Sequence, residues 1–226
     1  MMHAPAPQPS HRLIPSRFPP IGLFDTVATM ADAEAVMELA GWTNDRLVRQ
    51  RLARLPQNEW VFGRANSSIV MAAFLHAAPG GSRFNGPDLG AWYAGATLTT
   101  AVAEVGHHLR REALARGLET TKRVYRSYTA RLEGSYRDIR GSEPQLHAAD
   151  SYDAGQAFGE GLRAAGEDGV LYDSVRHRGG SNVCAYRPSK VLDVVQAEHL
   201  EVSVNVGDKR IEATRLDGVI SSAGAG

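Results

Sequence analysis

The chain has 226 residues, 43% of them hydrophobic, and its 25 lysines and arginines balance 25 aspartates and glutamates. That length suits one well-buried domain, with or without an extension, and the even charge excludes a global field drawing the protein to nucleic acid or an anionic membrane, so any polyanion must meet a local pocket. A single cysteine, Cys184, excludes an internal disulfide framework, and no apolar run approaches the roughly 20 residues that span a bilayer; both point to a soluble protein of the reducing cytoplasm.

Met1 to Ser10 is rich in proline and alanine and lacks the charged-then-apolar layout of a secretory signal, so residues 1–10 are expected to be a disordered lead-in. Asp25 to Ala40 carries Val27, Met30, Val36, Met37 and Leu39 among acidic and small residues, with Gly41 as a stop, and predicts a helix. A second begins at Thr43-Asn44 and runs through Arg46, Leu47, Arg49, Arg51, Leu52 and Arg54 to Pro56, making residues 11–58 a helical N-terminal extension. Its arginines suit a solvated basic face or a partner surface, with Arg46 the candidate for an anion.

At Glu59 the character changes, and residues 59–226 are expected to form the core. Trp60-Val61-Phe62 and Ser68 to Leu75 read as short buried strands. Turns at Gly80-Gly81 and Gly86-Pro87-Asp88 bracket Arg83-Phe84-Asn85 before a strand at Ala91 to Ala94. Thr97 to Arg116 is the clearest helix: a threonine cap, a stripe of Leu98, Val102, Val105, Leu109 and Ala113, and Gly117 at the exit. Lys122 to Glu133 alternates as a half-exposed strand; Asp150-Ser151 caps a helix that Gly166 ends; Gly169 to Val175 is a strand entering the glycine-rich loop Arg176 to Asn182. Val183 to Tyr186, Val191 to Val195 and Val202 to Val206 add further strand, so the class is mixed α/β of the α+β kind.

Generic motifs are weak. Gly159-Glu160-Gly161 with Gly166 lies inside a predicted helix rather than after a strand, which argues against dinucleotide binding there. Glu104, His107 and His108 hold metal-ligand atoms within one helical turn, but no second cluster completes a site, so no metal is expected. There is no Gly-x-Ser-x-Gly elbow, and Cys184 sits in an apolar strand.

Three blocks remain: Gly81-Ser82-Arg83-Phe84-Asn85-Gly86; Tyr93 followed by Thr97-Leu98-Thr99-Thr100-Ala101-Val102-Ala103-Glu104-Val105-Gly106-His107-His108; and Tyr172-Asp173-Ser174-Val175-Arg176 with Gly179-Gly180 and Asn182. In order and spacing they resemble the RES domain family, toxins encoded beside helix-turn-helix antitoxins. His11 to Pro20 and Thr43-Asn44-Asp45-Arg46 resemble the extended N-terminal part of a longer subgroup. The resemblance implies a split, twisted β core flanked by helices, similar to diphtheria-toxin-type ADP-ribosyltransferases. It also implies cleavage of the nicotinamide–ribose bond of NAD+ by hydrolysis or phosphorolysis, with ADP-ribosylation of a cellular protein as the alternative. An Xre-type antitoxin blocking the cleft, and oligomeric assembly with it, are implied as well.

The residue chemistry fits. Breaking that bond builds oxocarbenium character on the ribose, which an anionic carboxylate stabilises, and Glu104 is the candidate. Arg83 offers a planar fork of donors to the pyrophosphate or a ribose hydroxyl, Tyr93 a face for the nicotinamide, Ser174 and Asn182 hydrogen bonds to the ligand, and Phe84 and Asn85 further contacts. The family places an arginine on its first core strand; Arg64 falls about there, and Arg46 competes for the role. The rival of another class is a non-catalytic module in which these residues form a polar core and the arginine-rich helix binds an antitoxin.

Overall fold

Among the described residues strands account for most of the regular structure, and they share one sheet. The structure, a computed structural model, describes residues 2–18, 24–29, 31–32 and 50–216. Within them the strands are β1 Met2–Ala4, β2 Ser10–Pro15, β3 Trp92–Gly95, β4 Thr120–Leu132, β5 Tyr136–Asp138, β6 Gly169–Asp173, β7 Ser181–Ala185, β8 Val191–Asn205 and β9 Ile211–Leu216. Their order is β1-β5-β6-β7-β3-β2-β4-β8-β9, and only the β5–β6 pair is parallel. The helices are α1 Ser67–Leu75, α2 Leu98–Ala115 and α3 Asp153–Ala164. The α+β class expected from the sequence is the class observed.

The sheet is nearly cut in two between β3 and β2. All four residues of β3 pair with β7, and all six of β2 pair with β4, but β2 and β3 register only at His11 opposite Gly95. Alternation along β3 sends Trp92 and Ala94 to one face and Tyr93 to the other. On the first face one core spans both half-sheets, joining Trp92, Leu171 and Val183 to Tyr128, Leu132 and Val191 beneath Met71 and Phe74 of α1. On the opposite face the core is divided. Phe84, Tyr172, Cys184 and Leu162 pack α3 on one half, while Leu13, Leu109, Tyr125 and Val202 pack α2 on the other.

The threonine cap is present: Thr97 Oγ1 accepts from Thr100 N at 3.1 Å, and Gly117 leaves α2 with φ +67°. Several expectations are corrected. Ser68 to Leu75 is not a strand but α1, and Trp60 to Phe62 joins no ladder. Its residues Ile69, Val70, Met71, Phe74 and Leu75 are buried around the helix, so the run has no polar face to reveal its period. The carboxylate that receives its first backbone donors, Asn66 N at 3.0 Å and Ser68 N at 2.8 Å, is the distant Asp25. The lead-in is ordered structure: β1 pairs with β5, Ala6 is buried, and Gln8 bonds both backbone groups of Leu132. Composition alone cannot reveal a short edge strand whose ladder partner lies far along the chain. Residues 11–15, assigned to a helical extension, are the central strand β2; of the two helices expected after it, residues 31–32 and 50–52 are helical, residues 25–29 and 53–56 are turns and irregular chain instead, and the rest lie outside the described residues. Val191 to Val195 and Val202 to Val206 are one strand, β8, whose middle is solvent-facing and carries a register shift.

Candidate active site at the split in the sheet

Gly95 sets the geometry. A Cβ there would lie 2.8 Å from Ala101 N and 3.0 Å from Thr97 O, so only glycine lets the first turn of α2 rest on the point where the half-sheets join. The next turn then carries Glu104 over β7 and the end of β6. Its Oε1 accepts from Ser174 Oγ and Asn182 Nδ2, each at 2.7 Å. Ser174 and Asn182 are buried. Ser174 Oγ accepts the backbone N–H groups of Arg176 (3.2 Å) and His177 (3.0 Å), so its one proton is directed to the carboxylate. Glu104 Oε2 has no partner among the described residues and is not sealed from solvent. Thus Glu104, Ser174 and Asn182, expected to share a site, are brought together. Ser174 and Asn182 spend these bonds on the carboxylate, a use the sequence did not suggest.

Arg83 stands on the other half, beside Phe84 of the core under α3. It is 7% exposed; Nη1 donates to Leu146 O (3.2 Å) and Ala148 O (2.7 Å), and the guanidinium lies 4.9 Å from the Tyr152 ring centre. Tyr172 senses both sides: burial, then the Glu104 charge, raise its phenol well above the usual range, and Arg83 opposes this. The turn carrying Arg83 is clamped by α3, whose Gln156 donates to Gly80 O and Ser82 O at 2.8 and 3.0 Å.

Phe84 and Asn85, expected to add contacts to the ligand, are held within the turn itself. Phe84 is fully buried, edge-on to Tyr172 at 4.7 Å, and Asn85 is 1% exposed with its amide spent on Gly86 O, Leu89 O and Tyr93 OH. The tight turn consumes the polar groups of Asn85. Tyr93 OH donates to Asn85 Oδ1 (2.8 Å) and accepts from Phe84 N (2.9 Å), so its hydroxyl braces the turn; burial raises its phenol well above the usual range.

The structure separates the upstream arginines. Arg64 donates to Val191 O at 2.9 Å, at the start of β8 and away from Glu104's partners, and Arg46 lies outside the described residues. The arginine on the central strand is Arg12. Its Nη1 donates to Tyr93 O at 2.9 Å across the split, and its guanidinium lies 4.8 Å from the Trp92 ring centre. Burial brings it down to about 10. Among the described residues it has no carboxylate partner, and both its Nε and the neighbouring Trp92 Nε1 are buried without an acceptor. Such orphaned donors are unusual in a packed interior. Reading Ser68 to Leu75 as the first core strand hid this residue.

A cationic rim completes the surroundings. His107 is pushed down to about 4 by burial and by Arg176, His108, Arg110 and Arg111, and its Nε2 is buried with no partner among the described residues.

The family model of the RES domain matches residues 51–205. No curated protein matches the chain. Among solved structures, the crystal structure of the M. tuberculosis MbcT–MbcA toxin–antitoxin complex is similar, at 21% identity over 53% of this chain and 73% of that one, with a TM-score of 0.39, a likeness too loose to carry inference about activity or partner.

Proposed function

The chain belongs to the RES domain family, and from that premise we propose that it is a toxin that takes NAD+ as substrate and breaks its nicotinamide–ribose bond, held silent by an Xre-type antitoxin. One observation carries the reading: Glu104 is gripped through Oε1 by Ser174 and Asn182 and keeps Oε2 without a partner among the described residues. A carboxylate with one oxygen fixed and the other free is preorganised to face developing positive charge without reorganising during the step.

In the proposed reaction the C1′–N bond breaks and its electron pair passes to the pyridinium nitrogen, releasing neutral nicotinamide. Glu104 stabilises the oxocarbenium ion left at C1′. Water or phosphate then bonds to C1′, and in hydrolysis Glu104 Oε2 can take the proton that water loses. Arg12 Nε has no acceptor among the described residues, and Arg83 donates there only through Nη1, so both keep donors suited to the pyrophosphate oxygens. The ring of Tyr93, fixed through its hydroxyl, provides a face for nicotinamide. Small acceptors are favoured over a protein because they need only a small opening.

The test is a mass balance on purified, antitoxin-free protein with NAD+, with and without phosphate and cell extract. Nicotinamide with ADP-ribose identifies hydrolysis, and the 1″-phosphate of ADP-ribose identifies phosphorolysis. An ADP-ribose adduct on an extract protein would replace breakdown with transfer, and intact NAD+ under every condition would overturn the enzymatic reading in favour of an interaction module.

A further inference from the structure

Ser174 reaches Glu104 only because the loop after β6 folds back onto α2. His177 Nδ1 meets Thr100 Oγ1 at 2.9 Å, and Thr100 Oγ1 meets Thr97 Oγ1, the helix cap, at the same distance. His177 N donates to Ser174 Oγ, Gly180 N donates to His177 O at 2.9 Å, and Ser174 N donates to Gly180 O at 2.9 Å, closing the loop on itself. Thr100 is fully buried. At Gly180 an added Cβ would lie 2.6 Å from His177 Nδ1 and 2.7 Å from Thr100 Oγ1, so the contact exists only because that position is glycine.

We propose that His177 and Thr100 are positioning residues: a latch between the 174–180 loop and the first turn of α2 that sets Ser174 Oγ, and through it the Glu104 carboxylate. The inference rests on Glu104 having the role proposed above. Neither residue touches the reacting atoms. Loss of the latch leaves Glu104 in place on its helix but lets Oε1 lose its Ser174 donor, so the carboxylate swings and the transition state loses alignment. The substrate-binding donors of Arg12 and Arg83 are untouched.

The test compares His177→Asn, His177→Gln, Thr100→Val and Gly180→Ala in the full chain. Asparagine places an amide atom where Nδ1 stands; glutamine places its amide nearer Nε2. Turnover of saturating NAD+ is expected to fall roughly 10- to 100-fold in the glutamine, valine and alanine variants with KM little changed, and to recover in His177→Asn, since small misplacements cost rates of this order. In parallel, amide hydrogen exchange at Arg176 and His177 is expected to quicken in the three impaired variants and not in His177→Asn. Equal turnover in the asparagine and glutamine variants, or exchange unchanged by Gly180→Ala, overturns the latch. If wild-type protein leaves NAD+ intact, the functional reading fails on its own, and the exchange pattern still decides whether the latch exists.

Discussion

At Glu104 the two oxygens differ, one held by Ser174 and Asn182 and one without a partner among the described residues. Glu104→Gln retains an oxygen able to accept both donors but removes the charge. Turnover of NAD+ is expected to fall at least about 100-fold, with the thermal midpoint within a few degrees of wild type; a variant that keeps its activity would end the assigned role. Arg12 makes the complementary case. A half-buried cation with a stranded Nε is an awkward element of stability, and removing a charge that lacks a counter-ion relieves desolvation. Arg12→Met is therefore expected to leave the melting temperature unchanged or raised while NAD+ affinity, measured by calorimetry in the Glu104→Gln background, falls at least about tenfold. A large loss of stability would make Arg12 structural instead. These two residues also mark how far a single sequence reaches. Glu104, Ser174, Asn182 and Arg83 stood in blocks whose order was informative. Arg12 was equally visible, but its meaning depends on β2 lying between β3 and β4, a pairing between segments some 80 and 115 positions apart that no local pattern encodes.

Among the elements, α2 was legible because one face is apolar and the other charged, whereas α1 carries no charged residue on any face and its sequence fits strand and helix alike. The charged face of α2 has a consequence in acid. His107 is held neutral in the folded chain down to about 4 against an ordinary 6.5, through burial, Arg176, His108, Arg110 and Arg111. Between these values the unfolded chain binds the extra proton, so the stabilising difference is complete above about pH 6.5 and declines as pH falls towards 4. Because His107 is only half-buried, the contribution is screened to about 1 kcal/mol. His107→Asn is accordingly expected to lose less stability than wild type between pH 7 and pH 5 in denaturant titrations; parallel losses would refute the assignment. In α3, Gly159 meets the Arg83 turn: a Cβ would lie 2.1 Å from Phe84 O and 2.5 Å from Tyr186 OH, while at Gly161 nothing lies within 4 Å. Gly159→Ala is expected to destabilise by about 1–3 kcal/mol through overpacking, and Gly161→Ala to stabilise by about 0.5–1 kcal/mol through helix propensity. The same substitution with opposite signs, read by denaturant midpoint, tests whether α3 presses the turn into shape.

For the whole molecule, the two faces of the sheet are built differently. Beneath α1 one continuous core ties the half-sheets together, but on the other face the cores under α2 and α3 remain separate, and the charges of Glu104 and Arg83 both reach Tyr172 there. β2 is the member that makes this possible. It pairs with β4 along its full length, touches β3 at one position, and contributes Leu13 to the core under α2. The family match begins at residue 51, after β2, so a fragment cut to that match lacks the middle of its own sheet. A 51–216 fragment is therefore expected to show no cooperative thermal transition, because β3 and β4 become open edges and the shared core is exposed. Deletion of residues 2–9 alone is a milder change. It removes edge strand β1, buried Ala6 and the Gln8 clasp on Leu132, and is expected to cost about 1–3 kcal/mol while the transition stays cooperative. If that deletion costs nothing, the segment is the dispensable lead-in its composition suggested; if the 51–216 fragment folds cooperatively, the half-sheets need no β2 to join them and the site cannot depend on the split that β2 defines.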